Sequence, residues 1–292
     1  MTQQHRLRMA LVQHAPRLGD LGPNLEWTCE VLAQEVARGE DLVVFPELSL
    51  CGYFLKDLVP EIAIRLEGPE MGRLIKAVGR GSAVVGAVLE SPAHRFYNAA
   101  ILIAEGRIVH VHRKVYLPTY GMFDEQRYLA AGSRFEAVDL PLAGGGSWRL
   151  GILICEDLWH PSSAYLLSRG GADLIICTSA SPGRGVAGGQ AELGTAALWG
   201  AMTKTYAALF TTFLAYCNRV GFEDGHYFWG GSRVLGPDGG LLGGEPAGDQ
   251  PTILRAELDR GLLRRMRIAY PLLRDEREDV LWQQLKVDPG DV

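Results

Sequence analysis

The chain has 292 residues, 47% hydrophobic and 22% charged, the make-up of a globular protein long enough to bury a sizeable core. Its 29 basic and 34 acidic residues leave a net charge of −5, and no basic stretch is interleaved with aromatics, which argues against a nucleic-acid partner. The five cysteines are scattered without a CxxC pair, and MTQQHRLRMALVQHA lacks the apolar core of a signal peptide. The expectation is reduced thiols in a cytoplasm, one domain over 1–292, no membrane span, no structural zinc and no cofactor.

Arg6 to Gln13 (RLRMALVQ) reads as a first strand. After a break at Pro16 to Gly22, Asn24 is expected to cap a helix in which Leu25, Thr28, Cys29, Leu32 and Val36 share one face, with Gly39 ending it. Leu42 to Phe45 is a short buried strand, completing a β-α-β unit, and it runs directly into Pro46-Glu47-Leu48. A carboxylate just past the end of a buried strand is where α/β sheets place their chemistry, although most glutamates are simply solvated.

Met71 to Val78 reads as helix. Strands follow at Ala83 to Leu89 and Asn98 to Ala104, and the Glu105-Gly106-Arg107 turn makes a hairpin with Ile108 to His112. His110 and His112 alternate with valines. Without a third ligand motif, this HxH pair reads as a polar strand face rather than a metal site. The next segment, Arg113 to Tyr128, is rich in charge and aromatics but has neither helical nor strand period. Loops of that composition carry function more often than chance, and Lys114 and Glu125 are its candidate cation and second carboxylate.

A Gly-rich hairpin at Ala143 to Ser147 leads into RLGILICEDLWH. Leu150 to Ile154 is an apolar run fit for a central strand buried on both faces. Cys155 follows at once, then Glu156 and Asp157. A thiol at the end of such a strand is either one more small buried residue or a nucleophile on a rigid support, and the second reading requires a base and a cation nearby. Ser162 to Ser168 and Ala191 to Phe210 read as helices, and Leu174 to Thr178, Phe213 to Cys217, Phe228 to Leu235 and Thr252 to Glu257 as strands. The tail from Asp259 would suit docking on a partner subunit or on the chain's own surface.

Four stretches in this order, FPELSLCGY, RKVYLPTYGMFDEQRYLAAG, GILICEDLWHP and NRVGFEDGHYFWGGSRVLGPDG, resemble the nitrilase, or carbon–nitrogen hydrolase, superfamily over nearly the whole chain. The resemblance implies an α/β fold, a four-layer α-β-β-α sandwich that dimerises into a larger assembly. It also implies a Glu-Lys-Cys triad: Glu47 as general base, Lys114 holding the oxyanion together with the backbone N–H of Glu156, Cys155 as nucleophile, and Glu125 as the supporting glutamate.

Within the superfamily, the wording is most like the glutaminase domain of glutamine-dependent NAD synthetase, which would place Tyr53, Tyr120, Phe123, Glu156 and Ser181 around the amide. Two departures argue against glutamine. The chain ends at Val292, without an ATP-dependent domain that would consume ammonia, and PGRGVAGGQ after Ser181 lacks the expected Gly-Lys pair. Arg184 is then either a bidentate partner for a substrate carboxylate or a surface arginine. The favoured reading is a stand-alone amidase. A glutaminase subunit for a separate synthetase comes second and an N-carbamoyl amide hydrolase third, with a nitrile less favoured. A catalytically silent interaction module and a redox thiol are the readings from other classes.

Overall fold

The computed structural model describes residues 5–184 and 193–286. The chain begins with β1 (Arg6–Gln13), α1 (Leu21–Ala37), β2 (Leu42–Val44), α2 (Val59–Ile62), α3 (Pro69–Val78), β3 (Ser82–Glu90), β4 (Phe96–Ala104) and β5 (Arg107–Arg113). It continues through α4 (Glu125–Tyr128), β6 (Ala137–Pro141), β7 (Ser147–Ile154), α5 (Pro161–Arg169), β8 (Leu174–Ser179), α6 (Gly194–Leu209) and β9 (Phe213–Asn218). Then come β10 (Val220–Glu223), β11 (His226–Trp229), β12 (Arg233–Leu235), β13 (Leu241–Leu242), β14 (Thr252–Asp259), α7 (Arg260–Ala269), α8 (Leu272–Asp275) and α9 (Glu278–Leu285).

Two six-stranded mixed sheets result, in the orders β14-β1-β2-β3-β4-β5 and β13-β12-β9-β8-β7-β6. In each, the central pairs are parallel and the outer ones antiparallel. The alternation of side chains along a strand decides what each face covers. On β1, Met9 and Leu11 point to a core shared with Ile152, Ile154, Ile176 and Ala215 of the second sheet. Ala10 and Val12 point the other way, into a layer with Leu25 and Leu32 of α1 and Leu74 and Val78 of α3. The second sheet is backed by Leu167 of α5 and Trp199 and Ala207 of α6. The expected α-β-β-α sandwich is therefore present, and the central strands of both sheets are buried on both faces. No helix among the described residues is long and apolar enough to cross a membrane.

Three local expectations need correction. The first helix begins at Leu21, and Asn24 lies inside it, not at its cap. Its buried amide instead bonds Arg17 N and O at 2.9 and 2.7 Å and Leu50 O at 3.1 Å, so a long-range demand for partners overrides the local capping preference. The strand expected over Phe228 to Leu235 is two strands. Gly230 and Gly231, with φ of +72° and +70°, turn the chain between them, and the first pairs with β10 in a hairpin around Asp224-Gly225. His112 is not on a polar face: it is 3% exposed and bonded to Asp157, while its neighbour His110 is partly open. The start expected at Ala191 for the long helix lies outside the described residues, and the tail's α7 docks on its own chain, with Leu263 buried and Arg260 and Arg267 both paired to Asp173.

Candidate active site

Glu47 lies three residues past β2, in a loop pressed flat against β3. Gly86 makes that approach possible, because a Cβ there would sit 2.4 Å from Pro46 O and 2.5 Å from Leu48 N. The Ser49 hydroxyl and the Leu50 N–H both donate to Gly86 O, at 3.2 and 3.1 Å, and fix the loop in place. Glu47 is 1% exposed. Its Oε1 accepts from Asn98 Nδ2 at 2.7 Å and Lys114 Nζ at 2.8 Å, and its Oε2 accepts from the Ala180 N–H at 2.7 Å. With donors on both oxygens, the carboxylate is held in one orientation.

Lys114 follows β5 directly and is equally buried. Its second bond, at 2.6 Å, goes to Oε1 of Glu125, which also accepts from the Tyr53 hydroxyl at 2.5 Å. Oε2 of Glu125 is buried and has no partner. Two carboxylates thus share one ammonium, but unequally. Burial pushes the Glu125 carboxyl up to about 7; Lys114 opposes the rise and Glu47 adds to it. For Lys114, burial works against the ammonium, but Glu125 and Glu47 outweigh it and hold its pKa well above the ordinary value.

Cys155 ends β7 with a left-handed φ of +44°, where the strand breaks sharply into a 3₁₀ turn over Cys155–Trp159. Non-glycine residues seldom adopt this backbone, and where they do it aims a side chain outward from a rigid strand. Burial and then Glu47 push the thiol well above its usual range, against the pull of Lys114. The sulfur is therefore protonated at rest, with both charges close enough to act on it. The site draws Lys114 from one sheet and Cys155 from the other, at one end of the sandwich.

Aromatic groups gather beside this cluster. Phe123 packs edge-on against Tyr53 and Tyr120, with ring centroids 6.0 and 5.4 Å apart. The Tyr120 hydroxyl donates to Glu156 Oε2 at 2.8 Å, and the Arg184 guanidinium lies 4.5 Å over Phe123. Six of the expected residues therefore meet here: Tyr53, Tyr120, Phe123, Glu125, Glu156 and Arg184. Ser181 is buried one residue past Ala180, but its hydroxyl oxygen already accepts from Trp199 Nε1 at 2.8 Å.

Sequence reasoning passed over several buried polar groups. Asn98 is one, in the apolar strand FYNAAILIA, where an amide among aliphatic residues is itself a signal of a buried partner. The Arg219–Glu223 pair is another: Glu223 Oε1 accepts from the N–H groups of Tyr53 and Phe54 at 2.7 and 2.8 Å, its Oε2 pairs with Arg219 Nη1, and the guanidinium lies 4.2 Å over Phe228. Among the described residues, no group of three or more His, Cys, Asp or Glu could hold a metal ion.

Residues 8–268 match the carbon-nitrogen hydrolase family, and the chain belongs to it. It is 36% identical over 241 residues to the glutamine-dependent NAD(+) synthetase of Thermotoga maritima, a match spanning 81% of this chain and 39% of that protein. The match thus takes in less than half of that relative's length. Among solved structures, the carbon–nitrogen hydrolase of Helicobacter pylori G27 superimposes with a TM-score of 0.82 at 25% identity, covering 97% of this chain and 99% of that one. A cysteine-to-alanine mutant of the Nesterenkonia AN1 amidase, from the nitrilase superfamily, gives 0.77 at 25% identity, covering 95% and 97%.

Proposed function

We infer that the chain hydrolyses a small linear amide through a thioester on Cys155. The observation that carries this reading is the single Lys114 ammonium held between two buried carboxylates, beside a thiol on a strained strand end. The thiol is protonated at rest, so the proton must leave as the bond forms. Glu47 takes it from Sγ as the sulfur attacks the amide carbon, and the Lys114 ammonium, with the Glu156 N–H, holds the developing oxyanion. Glu47 returns the proton to the departing nitrogen, ammonia or an amine leaves, and a thioester remains. Glu47 then takes a proton from water, hydroxide adds to the thioester, and the acid departs as Sγ regains its proton. Glu125 keeps Lys114 aimed, and Tyr53, Tyr120 and Phe123 form an aromatic wall beside the reacting groups.

A second reading, a glutaminase that supplies ammonia to a synthetase, is favoured by the likeness to the Thermotoga protein. It is supported by Glu156 and Arg184, opposite charges on one aromatic wall that suit the ammonium and carboxylate of an amino acid. Assembly as a homodimer would cover Leu166 of α5 and Trp282 of α9, which are 46% and 59% exposed. Sedimentation of wild type and Leu166→Glu tests this: a dimer that the variant splits is expected, and a wild-type monomer refutes it. Ammonia release from glutamine, asparagine, short aliphatic amides and N-carbamoyl amino acids, run beside Cys155→Ala, tests the chemistry. Turnover of one class, lost in the variant by at least ~10⁴-fold, is the expected result. A Cys155 that resists iodoacetamide, with no turnover of any amide, would remove the hydrolytic reading.

A further inference from the structure

Asp157 sits two residues past Cys155, fully buried, and its carboxylate accepts four hydrogen bonds. Oδ2 takes the Ile154 N–H at 3.1 Å and His112 Nε2 at 2.8 Å. Oδ1 takes the N–H groups of Val115 and Tyr116, both at 3.0 Å. The donors come from two segments far apart in sequence. Ile154 immediately precedes the nucleophile, whereas His112, Val115 and Tyr116 bracket Lys114.

This is unusual economy for one side chain. A buried carboxylate without such donors is strongly destabilising, so these four bonds are strongly held. They join the second sheet to the first within a few residues of both Cys155 and Lys114. His112 completes the clamp: its ring is 3% exposed and packs at 5.8 Å from that of Phe135, so Nε2 has little freedom to turn away from Asp157. The left-handed backbone at Cys155 is strained for a non-glycine residue and persists only if its surroundings enforce it. The Ile154 N–H bond to Asp157 is the nearest such restraint.

We propose that Asp157, held by His112, is a positioning residue that fixes the separation between the Cys155 sulfur and the Lys114 ammonium. The inference rests on the amide-hydrolysis reading for its kinetic consequence, but its geometric part does not. Loss of the clamp lets the elbow and the lysine loop drift apart, and about 1 Å of misplacement costs about 10²-fold in rate. The effect falls on kcat, since neither residue reaches the aromatic wall.

The test compares His112→Leu, which removes the donor, with His112→Gln, whose amide N–H can reach Asp157 Oδ2, and with Asp157→Asn. Three readouts are taken: kcat and KM per titrated thiol, the pH dependence of Cys155 alkylation by iodoacetamide, and the thermal midpoint. His112→Leu and Asp157→Asn are expected to lose ~10–100-fold in kcat with KM nearly unchanged, and to shift the alkylation profile to higher pH as the thiolate loses Lys114. His112→Gln should recover most of both. If His112→Leu does not fold, His112→Asn, one methylene shorter than the glutamine, replaces it with the same expectations. Folded variants that melt earlier, yet match wild type in kcat and alkylation profile, would overturn the inference and leave Asp157 a structural residue. Alkylation needs no substrate, so its profile decides the positioning role even if wild type turns over no amide and the hydrolytic reading fails.

Discussion

Replacing Glu125 by glutamine should change how stability depends on pH more than it changes stability itself. In the buried cluster, Glu47 has three N–H donors on its two oxygens, while Glu125 has Lys114 and Tyr53 on one oxygen and nothing on the other. One ammonium cannot balance two buried carboxylates, so the less solvated one keeps its proton longer. Its pKa accordingly rises from 4.5 to about 7, with burial the largest cause. The folded chain therefore binds this proton more tightly than the unfolded chain does. The stabilisation is fully present below about pH 4.5 and is lost as pH rises through about 7. At about 1.4 kcal/mol per pH unit, the loss is about 3 kcal/mol. Glutamine keeps an acceptor oxygen for Lys114 and Tyr53 but does not titrate. Urea unfolding of both proteins at pH 5, 6, 7 and 8 isolates the difference, because all other ionisable groups are common to the two. Wild type should lose about 2.5 kcal/mol more than Glu125→Gln across that range, the remainder having been lost below pH 5. Parallel curves would show that Glu125 stays ionised throughout, and the unequal-sharing argument would be wrong.

Asn98→Leu removes a charge-assisted donor from Glu47 while keeping the side chain's volume. That bond is worth about 1.5–3 kcal/mol, so kcat/KM should fall ~10–100-fold, and a fall below threefold would show that Ala180 and Lys114 suffice. Glu223→Gln leaves the Arg219 guanidinium, 1% exposed, without a counter-charge. Breaking such a pair costs about 3–5 kcal/mol, to be read as a lower urea midpoint, and KM should rise as the Tyr53 loop loosens; an unchanged midpoint would contradict it. Gly86→Ala drives a methyl into the Glu47 loop and should cost both stability and turnover, whereas Gly72→Ala, where a Cβ meets nothing within 4 Å, should match wild type. Equal activity in the two alanine variants would refute the close-approach argument.

The parts of this molecule legible in its sequence are those decided by local pattern. The run RLRMALVQ ends where the first strand ends, and LGILI before Cys155 reads as buried on both faces because apolar side chains must point both ways from a covered sheet. Glu47 and Cys155 were visible because each sits where an apolar run stops, and Lys114 because it opens a loop rich in charge and aromatics. What stayed hidden was decided across the fold. Asn98 lies 51 positions from Glu47, His112 lies 45 from Asp157, and Glu223 lies 170 from Tyr53, so no spacing rule links them. Asn24 shows the same effect in reverse: its capping preference is real, but two backbone segments claimed its amide first. The Asp224-Gly225 turn is a different case, because a DG pair between VGFE and HYFW is a hairpin signal available from sequence and was passed over.

These hidden groups share a physical reason. A site that holds an ammonium, two carboxylates and a thiol away from water must supply a donor or acceptor to each of them from whatever element the fold brings near. The chemistry-bearing residues are then constrained by reaction type, and their wording is recognisable. Their supports are constrained only by geometry, and the same need could be met from another strand. The supports are also where the site's properties are set. The donors of Asn98 and Ala180 give Glu47, unlike Glu125, a partner on each of its oxygens, and so fix the orientation of the carboxylate that the reaction uses as its base.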